Sequence, residues 1–353
     1  MYDRGSDTSR QRNASFNAPM TDTTTVPQGA TTGLHGIQAP VRDRLDLVLE
    51  ELRGIAVSDF SMIEEVNAYL LNVPGKLFRP TLLLLASDVG GRSSDDAVTL
   101  GAVVELVHVA TLVHDDAVDH SALRRGMPTV NSLWTHQIAI IMGDYLYSRA
   151  VTELARIGNL EAVRVLGSAA NTMSVGEMRQ LLSYDDITFS ETEYYRLIAA
   201  KTASLISAAC EMGALAGVQS YRVALKRFGH FLGMAFQIAD DMLDYAGSED
   251  VTGKPAGLDL RERKVTLPLV GALREMSPAE VDQIRHMFTL VEPGDDEVRD
   301  AIALVVRNGG LEYARRKALS YARTAEAEIA RLAPGPALEA LADAVVYAVD
   351  RSR

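Results

Sequence analysis

Three stretches of this sequence, Leu100 to Val113, Ile138 to Leu146 and Leu205 to Val218, are apolar on nearly every face a helix would present. A helix at the surface of a domain keeps a polar face, so helices apolar all round must be enclosed by other elements. That feature restricts the chain to an architecture thick enough to have an interior layer. Elsewhere apolar residues recur at helical spacing, over Val41 to Arg53 and Ser61 to Leu71, with a short apolar segment from Thr81 to Val89. No run sustains period-two alternation, so a sheet is not expected. Ser93-Ser94-Asp95-Asp96 resembles a capping box opening a long apolar helix that reaches about Asp119. Ser190-Glu191-Thr192-Glu193 opens another, reaching about Ala216, and Ser277-Pro278-Ala279-Glu280 a third, with proline at its first position. The expected fold class is all-α, a single large helical bundle whose central helices are wrapped by the rest.

Residues 1–38 are rich in Thr, Ser, Gly and Asn without apolar periodicity and are expected to form a disordered tail, leaving 39–353 as one domain. The longest polar interruption, Gly247 to Arg263, reads as a loop or lid. The net charge of -12 argues against bulk capture of nucleic acid or of an anionic membrane. Cys210 is the only cysteine, so no intrachain disulfide can form, which suits a reducing cytosol, and a small core residue is expected there. No stretch is read as reaching the roughly 18 apolar residues of a membrane span. The start lacks the apolar centre of a signal peptide, and a cytoplasmic protein is expected.

The chemistry is carried by two acidic clusters at the ends of apolar helices. One is His114-Asp115-Asp116-Ala117-Val118-Asp119, the other Asp240-Asp241-Met242-Leu243-Asp244, and both read Asp-Asp-x-x-Asp. Residues i and i+4 share a helical face, so Asp115 projects with Asp119, and Asp240 with Asp244. Like charges at that spacing repel unless a cation lies between them. Carboxylates near a helix C-terminus also oppose its dipole, so a purely solvated acidic end is costly. All-oxygen ligands suit Mg²⁺, which keeps several waters and bridges to substrate phosphates.

An acidic metal site implies an anionic substrate, and basic residues accompany the clusters. Lys76 and Arg79 occupy a turn before a helix, and Arg124-Arg125-Gly126 follows the first cluster. Lys201-Thr202 lies inside an apolar helix, where a lysine needs a buried partner. Lys254 and Lys264 follow the second cluster. Arginine offers a fork that fits phosphate oxygens, and lysine a point charge. His108, seven residues before Asp115, lies on nearly the same helical face and points toward the metal site as a ligand or substrate contact.

Taken in order, these motifs resemble the polyprenyl synthetase family of trans-isoprenyl diphosphate synthases, in particular its bacterial medium- and long-chain members. The resemblance spans about residues 40 to 350. It rests on Gly-Lys-x-x-Arg-Pro at 75 to 80, Glu105-Leu106-Val107-His108 leading into the first cluster, and Arg124-Arg125-Gly126-x-Pro128-Thr129-x-Asn131. It continues with Gly143-Asp144-Tyr145-Leu146, Lys201-Thr202, Phe236-Gln237 before the second cluster, and Gly253-Lys254-Pro255 through Asp259 to Lys264-x-Thr266-Leu267-Pro268. The resemblance implies that Asp115, Asp119, Asp240 and Asp244 carry three Mg²⁺ on an allylic diphosphate, with Asp116, Asp241 and Lys201 among the catalytic residues. It implies that Arg124, Lys201, Thr202, Gln237 and Lys254 contact that diphosphate, and that Lys76, Arg79, His108 and Arg125 form the pocket for isopentenyl diphosphate. Lys264 matches a further diphosphate-binding position. The family usually has Gly before that lysine, where this chain has Arg263.

The implied partners are isopentenyl diphosphate and an allylic diphosphate, with a homodimer expected from the family. Ala110 and Thr111, about one turn before Asp115, stand where short-product members often hold a bulky aromatic. Both are small here, which predicts a C30 to C45 polyprenyl product for a quinone side chain rather than C20. A terpene cyclase shares the fold and the first cluster but typically carries an Asn/Ser/Glu-type second metal motif. A non-catalytic subunit usually loses aspartates or basic residues that this chain keeps.

Overall fold

The structure is a computed structural model, and it describes residues 33–72, 75–183, 186–246 and 257–350. Helices dominate it in the order α1 Leu34–Gln38, α2 Arg42–Ala56, α3 Ser61–Asn72, α4 Phe78–Asp88, α5 Asp96–Val118, α6 Val130–Leu133, α7 His136–Ile157 and α8 Leu160–Leu181. There follow α9 Glu191–Ile198, a π-helical turn Ala199–Ala203, α10 Ser204–Leu215, α11 Arg222–Ala246 and α12 Leu258–Arg261. The series closes with α13 Leu267–Leu273, α14 Pro278–Phe288, α15 Asp295–Arg307, α16 Gly310–Ile329 and α17 Pro336–Val349. Among the described residues the only strands are two-residue β1 (Leu123–Arg124) and β2 (Met127–Pro128).

The interior layer inferred from the all-round apolar stretches is α10, in which every residue from Leu205 to Leu215 is buried. It packs on α4, α5, α8 and α11, and α11 in turn packs along α16. Small residues let these helices approach. A Cβ on Gly213 would fall 2.3 Å from the Leu83 carbonyl oxygen, so the α4–α10 contact requires glycine at that position. Cys210 lies in this core, fully buried. A second apolar cluster, centred on Tyr194, Ile238, Leu267 and Val305, joins α9 and the second half of α11 to α12–α16.

Three expectations are corrected. Leu34–Gln38 is helical and Ile37 is fully buried in the main core, so order begins before residue 39. No side chain caps α5. Its N-cap is Asp95, while Ser93 bonds to Ser87 and the Ser94 N–H to the Ala216 carbonyl, which spends the candidate capping residues on tertiary contacts. Two helical stretches, Asp96–Val118 and Glu191–Leu215, are in fact long and apolar enough to cross a membrane. Most of each is buried against other helices, which is where core helices of this composition sit. The other two start signals hold: Ser190 with Glu193, and Ser277 with Glu280, form reciprocal capping boxes.

Candidate active site

Helix α5 carries the first cluster to its end, and the Asp119 N–H still bonds to the Asp115 carbonyl, so the i, i+4 relation of the two carboxylates is kept. Asp115 is half-buried. Burial pushes its carboxyl up to about 6; Lys201 opposes this, and Glu177 and Asp119 add to it. Asp116 turns away from this group. It is buried, and both its oxygens accept from Arg124 Nε at 2.8 Å.

The arginine pair owes its placement to the small hairpin. Leu123 pairs with Pro128 and Arg124 with Met127, leaving Arg125-Gly126 as a two-residue turn. Both turn residues have positive φ, 52° and 76°, as a type I′ hairpin demands. Arg124 thereby returns to Asp116, while Arg125 reaches a second group formed by Arg79, Glu105 and His108. Gly75 lines that group: a Cβ there would lie 3.4 Å from Glu105 Oε1 and 4.0 Å from Arg125 Nη1. Burial first, then the charges of Arg79, Arg125 and Arg124, holds His108 well below the usual imidazole range, so it is neutral at pH 7. Arg79 Nε and Glu105 Oε2 are buried without a hydrogen-bond partner. Such groups are rare in folded proteins, and here two arginines, Arg79 and Arg125, act on the one carboxyl of Glu105, an excess of basic groups suited to an anion. Lys76 is separate: it is exposed, and its Nζ lies 3.4 Å from the Tyr347 hydroxyl on α17.

The second cluster sits on the last turns of α11. Asp240 is exposed. Asp241 is buried and accepts from Tyr194 Oη at 2.6 Å and from Gln237 Nε2 at 2.7 Å. Burial pushes it up to about 7 against those two bonds. The Asp244 carboxylate accepts the N–H groups of Leu258 and Asp259 at 3.0 and 2.9 Å, so it caps α12 from the end of α11. Gln237 Oε1 accepts from Thr202 Oγ1 at 2.6 Å.

Lys201 and Thr202 stand in the π-helical turn, a single extra residue's widening of the kind found at functional sites. Glycines clear the approach on both sides. A Cβ on Gly176 of α8 would be 2.7 Å from Ala200 Cβ, and one on Gly233 of α11 would be 2.6 Å from Ala203 Cα. The partner that Lys201 requires is Glu177, at 2.6 Å, with Gln180 Oε1 at 2.8 Å. The other Glu177 oxygen, Oε1, is buried without a partner. Helices α5 and α11 both pack on α10, and α8 and α11 both pack on the π-helical turn. The Glu177 and Lys201 charges act on Asp115, which brings the first cluster, Lys201 and Thr202 to one place.

Lys264 is half-buried and pairs with Glu262 at 2.5 Å. The preceding Arg263 has φ 55°, which explains why glycine is common at that place. Lys254 falls within 247–256, outside the described residues, as does most of the expected lid. Ala110 is 2 % exposed and packed in the core, whereas Thr111 is half-buried on the face shared by His108 and Asp115. Gly143 is explained by His114, whose Nε2 would lie 2.2 Å from a Cβ there.

Among the described residues no three His, Cys, Asp or Glu side chains are grouped closely enough to enclose a metal ion. The donors nonetheless fit magnesium, which is bound by one or two carboxylates plus substrate phosphates rather than by an all-protein cage. Asp115 suits such a site, since burial first and then the Glu177 and Asp119 charges disfavour its ionised form, which a bound cation would favour.

Reasoning from sequence missed Tyr194, Glu177 and Gln180, and assigned no role to Glu105. Glu177 and Gln180 lie three apart on one face of α8 directly after Gly176, a pattern that reads as an ordinary amphipathic helix until Lys201 is placed against it.

The sequence model described as Polyprenyl synthetase matches residues 60–305. The chain is 36% identical over 310 residues to octaprenyl diphosphate synthase of Escherichia coli, covering 87% of this chain and 94% of that one. It is 38% identical over 286 residues to nonaprenyl diphosphate synthase of Mycobacterium tuberculosis, covering 80% and 85%. A crystal structure of polyprenyl synthase from Caulobacter crescentus, complexed with calcium and isoprenyl diphosphate, superposes with a TM-score of 0.87 at 33% identity, covering 92% of this chain and all of that one. The chain belongs to the polyprenyl synthetase family and is a prenyltransferase.

Proposed function

We propose that the enzyme condenses isopentenyl diphosphate with an allylic diphosphate in a Mg²⁺-dependent reaction and repeats the step to a trans-polyprenyl diphosphate of C30 to C45. The reading is supported by the π-helical turn, whose Lys201 charge acts on Asp115 of the first cluster while its Thr202 hydroxyl donates to Gln237, three residues before the second cluster. Asp115, Asp119 and Asp240 would hold the magnesium, about three ions by family resemblance, with Asp244 contributing while it caps α12. When bound, the magnesium neutralises charge on the leaving diphosphate.

The residues of the chain divide into two groups. Arg124, Lys201, Thr202 and Gln237 bind and orient the allylic diphosphate, joined by Lys254 and Lys264. Arg79, His108 and Arg125 hold isopentenyl diphosphate, with Lys76 at the rim. Asp116 aims Arg124, and Asp241 aims Gln237. Departure of the diphosphate leaves an allylic cation, and Lys201 and Arg124 stabilise the charge developing on the leaving oxygens. The double bond of isopentenyl diphosphate attacks C1, and loss of a proton to the departed diphosphate gives the longer allylic product. Neutral His108 keeps an N–H to donate to a phosphate oxygen without competing for that proton. The apolar walls of α5 and α10 exclude water that would quench the cation.

Small side chains at Ala110 and Thr111 support a long product over the C20 alternative, as do relatives that make octaprenyl and nonaprenyl diphosphates. We place the enzyme in the cytoplasm as a homodimer. Ile141, Val175 and Met178 are exposed on the adjacent helices α7 and α8, an apolar surface that a second copy would cover. The test is incubation with labelled isopentenyl diphosphate and geranyl or farnesyl diphosphate, with and without EDTA, followed by chromatography of the products. A metal-dependent ladder ending between C30 and C45 supports the proposal. Cyclised hydrocarbon, or no elongation by the purified protein alone, contradicts it.

A further inference from the structure

The two Asp-Asp-x-x-Asp clusters differ in what their middle aspartates do, and the second leads away from the substrate to a tyrosine. Tyr194 lies on α9, seven residues before Lys201, and is 1 % exposed. It cannot touch a diphosphate. Its hydroxyl donates to Asp241 Oδ2 at 2.6 Å, Gln237 Nε2 donates to Asp241 Oδ1 at 2.7 Å, and Thr202 Oγ1 donates to Gln237 Oε1 at 2.6 Å. The series crosses from α9 to α11 and on to the π-helical turn, so one phenol ties together three elements that bound the site.

We infer that Tyr194 is a positioning residue that sets the amide of Gln237, and through it Thr202, for the allylic diphosphate. The inference rests on the reading that Gln237 and Thr202 meet that diphosphate. The logic lies in donor and acceptor direction. Asp241 Oδ2 takes the tyrosine hydroxyl and its Oδ1 takes Gln237 Nε2, so the NH₂ end of the amide faces Asp241 and its oxygen faces the Thr202 hydroxyl. The second N–H of that amide is then the one available to an anion. The reversed amide would set oxygen against carboxylate and turn an oxygen toward phosphate as well. Asp241 enforces this only while its own plane is fixed, and Tyr194 fixes it from the side opposite Gln237. The tyrosine is itself anchored. Helix α9 begins with the Ser190–Glu193 capping box, and the Tyr194 ring packs edge-on against Tyr195 at 5.6 Å.

The test is steady-state kinetics of the full-length enzyme, varying farnesyl diphosphate and isopentenyl diphosphate separately, for wild type, Tyr194→Phe, Gln237→Ala and the double variant. Tyr194→Phe keeps the ring and removes the hydroxyl. It is expected to lower kcat/KM for farnesyl diphosphate about tenfold while the KM for isopentenyl diphosphate stays within twofold. In the Gln237→Ala background it is expected to change nothing further, because its effect passes through Gln237. Helical circular dichroism is recorded alongside. If Tyr194→Phe does not fold, Asp241→Asn interrupts the same series and must show the same primer-selective, non-additive loss. Unchanged primer kinetics, an equal loss on both substrates, or losses that multiply with Gln237→Ala would overturn the inference. If Gln237→Ala itself leaves the primer unaffected, the assignment of the diphosphate site falls and the role of Tyr194 falls with it.

Discussion

In the proposed reading the product length is set by how far a growing chain can descend along α5, and the geometry separates two positions that sequence treats alike. At a rise of about 1.5 Å per residue, Thr111 stands about 6 Å below Asp115 and Ala110 about 7.5 Å. Thr111 shares the half-buried face of His108 and Asp115, while Ala110 is 2 % exposed and packed into the core. Thr111→Phe therefore places a ring on the open face. The bond it removes is the one from Thr111 Oγ1 to the His108 carbonyl at 2.8 Å, within the same helix, worth about 0.5–1.5 kcal/mol at most. Ala110→Phe must push its ring out of a packed wall, and overpacking of this kind costs about 1–3 kcal/mol. Both substitutions should shift the main product to about C15–C20 with turnover retained, and Ala110→Phe alone should lower the thermal midpoint measurably. The assay is chromatography of the dephosphorylated products from a farnesyl or geranyl primer, together with a thermal melt. A product distribution identical to wild type in both variants would show that the chain does not run along this face.

Two further outcomes follow from the charge arrangement. Arg125→Ala should raise the KM for isopentenyl diphosphate far more than that for the primer, and Lys201→Ala should do the reverse; equal effects in either variant, read by initial rates, would refute the division of basic residues. Glu191 tests the scaffold. Partial burial opposes its charge, but hydrogen bonds from Tyr195 and Tyr313 and the charges of Lys317 and Arg274 outweigh it and bring the carboxyl down to about 2. A depressed carboxyl stabilises the fold above its unfolded value near 4.5 and loses that contribution as pH falls toward 2. Allowing for its partial exposure, Glu191→Gln should destabilise by about 1–2 kcal/mol at pH 7, and the difference from wild type should shrink between pH 4.5 and 2 in denaturant melts. A difference independent of pH would show that the loss is one of packing.

The bundle was legible because it is written in short-range pattern. All-round apolar stretches such as Leu205 to Val218 require enclosure, and the boxes at Ser190 and Ser277 close locally within three residues. The aspartates and arginines were legible for the same reason, since Asp115 and Asp119 need only a helix to share a face. What escaped depends on contacts between distant segments. Glu177 matters because Gly176 lets α8 reach the π-helical turn, and no spacing within α8 announces a partner at Lys201. Ser93 looks like a cap in sequence, but its hydroxyl bonds to Ser87 instead. The left-handed backbone at Arg263, φ 55°, likewise becomes visible only when the turn into α13 is built, although the absence of glycine there was apparent from the start.

The central claim is that the two acidic clusters act as one site on one leaving diphosphate. It is tested most directly by single-turnover rates at saturating Mg²⁺ for wild type, Asp115→Ala, Asp240→Ala and the double variant, with helical content verified by circular dichroism. Residues that act as a unit lose most of their effect with the first removal, so losses within a unit do not multiply. Each single variant should lose several decades in rate, and the double variant should be no slower than the slower single. Near-normal turnover in either single variant, or a double-variant loss equal to the product of the two, would contradict a shared site.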